Sequence, residues 1–158
     1  MIYLDNSATT RPCEATVEAM TKALTEGWAN PSALYQFGID AARALRTARS
    51  QVASALGAEV DRVFFTSGGT EADNWAIKGV AGGLRLNGNC GKILVSAIEH
   101  HAVLNSAKAL LRDGYDVEFL PVTSDGLLDL AVLREKVSNH KVSLVCVMTA
   151  NNEIGTVQ

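Results

Sequence analysis

Three polar clusters each follow a short apolar run, and they hold the side chains best suited to chemistry. They are Ser67-Gly68-Gly69-Thr70, Glu99-His100-His101 and Asn151-Asn152-Glu153. Gly68-Gly69-Thr70 joins a predicted strand to a predicted helix. Glycines there let backbone N–H groups approach a ligand, and the positive end of a helix suits a phosphate. The run is neither a Walker A loop nor GxGxxG. A plain tight turn with Thr70 as N-cap explains the same residues. His100 stands between a strand and a helix, where a ring can stack on a flat cofactor or shuttle protons. Capping the following helix is its structural alternative. His101, its neighbour, points elsewhere, and His140 belongs to a surface turn. Two amides and a carboxylate at Asn151-Asn152-Glu153 can hydrogen-bond a ligand or satisfy the loop's own backbone. The polar run Asn6-Ser7-Ala8-Thr9-Thr10 can likewise be a ligand loop or only the entry to the first helix.

The elements that must position these clusters are legible from periodicity. Pro12 opens a helix with Val17, Met20 and Leu24 on one face and Gly27 at its end. Asn30-Pro31-Ser32 is a turn. A long helix follows, with Ile39, Ala42, Leu45, Val52 and Leu56 on one side and Gly57 as its stop. Arg43, Arg46 and Arg49 read as a solvated face of that helix. Short apolar strands then alternate with amphipathic helices. Strands are predicted at Val63-Phe64-Phe65, 92–96, 116–120 and 142–148. Helices are predicted from Thr70 to about Val80, over 102–112, and around Leu130, Leu133 and Val137. The last strand is nearly all apolar, which predicts cover on both faces. This order predicts a three-layer α/β/α fold with a mainly parallel sheet. Ligands in such sheets sit beyond the carboxyl ends of the strands, where all three clusters fall.

Composition narrows the function classes. The chain has 158 residues, 47% hydrophobic and 20% charged, with a net charge of -3. These values exclude a disordered chain and give no basic excess for nucleic acid. No apolar stretch approaches the ~20 residues of a membrane span, and the N-terminus has no signal-peptide pattern. A cytoplasmic location is the expectation. Cys13, Cys90 and Cys146 show no metal-like spacing, so neither a metal site nor a disulfide framework is expected. Cys146 reads as core, and Cys90 as part of an exposed turn.

Taken in order, the motifs resemble those of cysteine desulfurases, which belong to the class V aminotransferases with the fold-type-I pyridoxal-phosphate architecture. The matching segments are Tyr3-Leu4-Asp5-Asn6-Ser7-Ala8-Thr9-Thr10, Asn30-Pro31-Ser32, Thr66-Ser67-Gly68-Gly69-Thr70-Glu71-Ala72-Asp73-Asn74, Glu99-His100-His101-Ala102-Val103-Leu104 and Ala150-Asn151-Asn152-Glu153-Ile154-Gly155. The resemblance implies that Gly69 and Thr70 hold the cofactor phosphate. It implies that His100 stacks on the pyridine ring and takes part in proton transfer. Asn152, rather than Asn151, matches the amide that bonds the ring hydroxyl. It further implies a homodimer, L-cysteine as substrate, and sulfur-acceptor or scaffold proteins as partners. The Asn30-Pro31-Ser32 segment resembles one near the subunit interface, and Tyr35 stands where many relatives carry His.

The resemblance also carries departures. The family's Schiff-base lysine, the Asp beside the pyridine nitrogen and the persulfide-forming cysteine have no match in these 158 residues. The expectation is therefore the N-terminal part of a cysteine desulfurase, inactive by itself and without covalent cofactor attachment. Residues 1–158 are read as a single unit, with 1–57 as an N-terminal segment with helices and 58–158 as the first part of the cofactor-binding large domain. An unpaired sheet edge or exposed apolar surface is expected with it. Alternatives are another class V enzyme, such as a selenocysteine lyase or an aminotransferase, or a truncated non-enzymatic module.

Overall fold

The computed structural model describes residues 2–139 and 141–158. His140, expected at the surface, lies outside the described residues. The chain forms two compact units, divided after Phe65.

The N-terminal unit is helical. Helix α1 spans Glu14–Glu26, so its first helical residue is Glu14 and not Pro12; Cys13 is the N-cap, and the helix closes at Gly27, whose N–H returns to the Ala23 carbonyl at 3.1 Å. Helix α2 spans Gln36–Leu56. Gly57 ends it with φ +64°, the left-handed conformation that glycine adopts without a Cβ penalty. Of the three arginines expected on a solvated face, Arg43 pairs with exposed Asp40 at 2.9 Å and Arg46 is exposed. Arg49 departs from that reading: it is half-buried and donates to the Val63 carbonyl at 3.0 Å. Its guanidinium also lies 5.6 Å from the Phe65 ring centroid. No α1 residue is buried, and α2 buries only Gly38 and Ala53.

Val63-Phe64-Phe65 does not form the expected strand. Val63 has extended dihedrals, φ -100° and ψ 122°, but no ladder includes the segment. Aromatic and β-branched residues favour an extended backbone. A strand also needs a hydrogen-bonded neighbour.

The C-terminal unit is built on a three-stranded parallel sheet in the order β2-β1-β3. Its elements are α3 (Gly69–Leu86), β1 (Lys92–Ser96), α4 (His101–Arg112), β2 (Val117–Leu120), α5 (Leu130–Asn139) and β3 (Val142–Cys146). Alternate residues of β1 face opposite sides. Ile93 and Val95 pack with Ile77 and Ala81 of α3 and Ala107 and Leu110 of α4. Leu94 packs on the other side with Leu120, Leu128 and the α5 residues Val132 and Leu133. The layers are therefore α3 and α4, then the sheet, then α5. Ile93, Leu94 and Val95 are fully buried, worth roughly 1.5–3 kcal/mol each.

Two further element expectations change. Helix α3 runs to Leu86 rather than Val80. Gly79, Gly82 and Gly83 weaken its local helix signal, but Ala81 is buried in the α3–α4–sheet core, and that packing carries the helix on. Strand β3 ends at Cys146 rather than Met148, and it is an edge strand with Val145 exposed. Cover on both faces belongs to β1 instead. Cys146 is half-buried against the α3–α4 core, and burial is the main cause that pushes its thiol up to about 11.

Candidate functional site

The carboxyl ends of β1 and β3 carry the second and third clusters, while the first follows the unpaired Val63-Phe64-Phe65 segment and opens α3. At the first, Gly68 is the N-cap of α3 and Gly69 its first residue. Thr70 is thus inside the helix, not its cap, and the exposed Gly69 and Thr70 begin a turn whose amides have no intrahelical acceptor. A Cβ added at Gly68 or Gly69 would meet nothing within 4 Å. An exposed helix N-terminus of this kind suits a phosphate group. The Ser67 amide and hydroxyl both donate to the Glu71 carboxylate, at 2.6 and 2.7 Å. Those bonds fix the turn and hold the Glu71 carboxyl below its ordinary pKa.

At the second cluster, His100 is the N-cap of α4. Its Nδ1 accepts the Ala102 N–H at 3.1 Å. The capping alternative is therefore realised, with the ring accepting. In the neutral ring the proton then sits on Nε2, the nitrogen left for a ligand. His100 is exposed and lines a cleft of about 430 Å³. Asp73 and Ile77 of α3 and Cys146 to Thr149 beyond β3 also line it. Asp73 lies one helical turn beyond Gly69. His101 is exposed, and its ring meets that of His100 edge-on, with centroids 6.3 Å apart.

At the third cluster the two asparagines separate. Asn151 is buried, and its side chain is fully engaged. Its Nδ2 donates to the Ile98 carbonyl at 2.9 Å, and its Oδ1 accepts the Glu153 and Ile154 amides at 2.8 and 3.1 Å. Asn152 is exposed, with its Nδ2 on Glu153 Oε1 at 3.2 Å. Gly69, Thr70 and Asn152 do not line the cleft themselves; each sits on a segment that borders it.

Two groups in the cleft had no assigned role in the sequence, Asp73 and Glu99. Glu99 is 7% exposed, and its Oε1 accepts the Met148 N–H at 2.6 Å. Burial is the main cause that raises its pKa; the Met148 amide opposes it and the Asp73 charge adds to it. A sequence signal existed: a carboxylate directly after an apolar strand, with no Lys or Arg within four residues.

A larger cavity, about 590 Å³, opens at the opposite edge, where the strands begin. Two of its cations, Arg85 and Lys92, are engaged within the fold. Arg85 donates to the Asp113 and Gly114 carbonyls and stacks on Tyr115, 3.5 Å from the centroid. Lys92 pairs with Asp116 and Glu118. The cleft with His100 is the better candidate.

Comparison with known proteins decides the lineage. The family model for aminotransferase class-V matches residues 2–158. The chain belongs to the class-V aminotransferase family. It is 46% identical over 157 residues to the cysteine desulfurase IscS of Methanosarcina thermophila, covering 99% of this chain and 38% of the relative. With the cysteine desulfurase IscS of Clostridium botulinum the identity is 43%, covering 99% and 39%. Among solved structures, a NifS-like protein superposes with TM-score 0.91 at 38% identity, covering 99% of this chain and 42% of that one. A structure described as SspA in complex with cysteine gives 0.88 at 34%, covering 100% and 45%. This class-V chain therefore shares the fold of the NifS-like desulfurases and spans about two fifths of their length. No described helix is long and apolar enough to cross a membrane.

Proposed function

We propose that this class-V chain forms the cofactor-binding side of a pyridoxal-phosphate-dependent cysteine desulfurase, acting on L-cysteine. The observation that carries the reading is a cleft at the carboxyl edge of a parallel sheet that is lined by the His100 ring and by Asp73, one turn into α3 from Gly69. The relatives named desulfurases, and the cysteine complex of SspA, favour L-cysteine over other amino acids.

Each residue has a distinct task in this reading. The amides of Gly69 and Thr70, with the Thr70 hydroxyl, bind the phosphate. The His100 ring stacks on the pyridine face, and its Nε2 holds or passes a proton. The Asn152 side chain bonds the ring hydroxyl. Asn151 is unsuited to that task, since its own loop engages both ends of its amide. Bound pyridoxal phosphate supplies an electron sink for charge developing beside the amino nitrogen of the substrate.

The 158 residues alone are not expected to turn over L-cysteine. None of the lysines lines the cleft, and Lys92 and Lys136 are both paired with Glu118. A homodimer and a protein sulfur acceptor complete the proposal. The exposed apolar side chains of the N-terminal unit, Trp28, Leu34 and Phe37 among them, support the dimer. The unpaired thiols are consistent with a reducing, cytoplasmic setting.

A pair of titrations tests the reading. Pyridoxal phosphate is expected to bind at least tenfold more tightly than pyridoxal, and Gly69→Asp is expected to abolish that preference. Equal affinity for the two compounds, or an unaffected Gly69→Asp variant, would overturn it.

A further inference from the structure

Glu99 is a buried carboxylate with no ion pair among the described residues. The β1–β3 ladder ends at the pair Val95 and Cys146. Two residues on, the Met148 N–H goes to Glu99 Oε1 at 2.6 Å. A longer strand would have directed that N–H to a neighbouring backbone carbonyl. A second bond crosses in the same sense, from Asn151 Nδ2 to the Ile98 carbonyl at 2.9 Å. Together they join the β1–α4 turn, which carries His100, to the loop after β3, which carries Asn152. The acceptor is costly to keep there. Glu99 is 7% exposed, and a carboxylate in that setting needs hydrogen-bond donors to offset lost hydration. The Met148 amide supplies one, and a charge-assisted bond of this kind is short and strong.

We propose that Glu99 is a positioning residue. Its carboxylate clamps the Met148 amide and so fixes the Asn152 loop against the His100 turn. The inference deepens the cofactor reading above and rests on it for what the two side chains hold. Glu99 itself touches neither cofactor nor substrate in this scheme.

Two readouts on the full protein test it: amide hydrogen exchange over residues 147–154, and pyridoxal phosphate titration. Glu99→Ala is expected to speed exchange there about tenfold, as loss of one charge-assisted hydrogen bond requires. It is expected to weaken cofactor binding about tenfold as well, because mispositioned contacts are expensive. Glu99→Gln keeps an acceptor at the same reach and should stay within about threefold of the parent on both. If Glu99→Ala fails to fold, Glu99→Asp serves, since it is one methylene too short to reach Met148; parent-like exchange in that variant overturns the clamp. Unchanged exchange in Glu99→Ala overturns the clamp too, as does a Glu99→Gln variant equally defective. Faster exchange with unchanged cofactor affinity overturns the positioning role. If the parent protein binds no pyridoxal phosphate, the cofactor reading fails, and exchange alone decides whether Glu99 holds the loop.

Discussion

One nitrogen of the His100 ring is engaged before any ligand arrives. Because Nδ1 caps α4, replacing His100 has two separable effects. His100→Ala removes cap and ring together and is expected to lower stability by about 1 kcal/mol. His100→Asn restores a good capping acceptor without the ring, so its urea midpoint should lie close to that of the parent. Equal losses in the two variants would show that the cap contributes nothing. Glu118 offers a pH test at the same scale. Lys136 at 2.6 Å and Lys92 at 2.7 Å hold its carboxyl at about 2, against an ordinary glutamate value near about 4.3. A depressed pKa stabilises the fold above the unfolded value, and that contribution is lost as pH falls toward the folded one. Glu118→Gln should therefore be less stable than the parent at pH 7. The gap in urea midpoint should close between about pH 4.3 and pH 2. A gap that stays constant over that window would exclude the linkage. Sequence could single out His100 by its place after a strand. The Lys136–Glu118–Lys92 network spans three elements, and no local pattern announces it.

At the scale of elements, Gly38 in α2 and Gly57 just past its end make different demands. Gly57 has φ +64° with open space around its Cβ position, so Gly57→Ala meets only backbone strain, about 1–2 kcal/mol. Gly38 is a matter of space: a Cβ there would collide with the Ala33 carbonyl and side chain. Gly38→Ala is expected to cost about 1–3 kcal/mol through overpacking and to loosen the turn before α2. Thermal melts of the two variants measure both costs, and a Gly38→Ala variant as stable as the parent would refute the close contact. The helix end at Gly57 was readable because a lone glycine after an apolar periodicity is a local signal. The packing at Gly38 was not, because it depends on where the chain before the helix comes to lie. The same distinction governs the strands. Lys92–Ser96 agrees with its sequence reading because its residues are buried from both sides. Val63-Phe64-Phe65 has suitable residues and no ladder, and β3 stops at Cys146, two residues before the Met148 amide that Glu99 accepts.

For the whole molecule, burial is unevenly shared between the two units. The C-terminal unit holds the cores around β1, while the N-terminal unit exposes Leu24, Trp28, Leu34 and Phe37 at 73% or more. Exposed apolar surface was expected, and it is concentrated on the helical unit. Protection from exchange tracks buried contacts. The amides of Ile93, Leu94 and Val95 should therefore exchange slowest, and those of α1 among the fastest. Hydrogen exchange resolved by residue checks this, and an α1 as protected as β1 would contradict it.

Sequence by itself determined the alternation of strands and helices from β1 onward, the parallel α/β class, and the polar clusters that follow β1 and β3. Each follows from local periodicity and from turn residues that act through the backbone beside them. The tertiary structure alone decided which of those polar groups are free to meet a ligand. Asn151 and Asn152 are adjacent and chemically identical, yet one is consumed by the Ile98 carbonyl and its own loop amides, and the other is exposed. Glu99 and Met148 are far apart in the chain and meet only because β1 and β3 lie side by side. Hydrogen bonds between distant segments exist once the sheet has brought them together, and residue order carries no direct record of them.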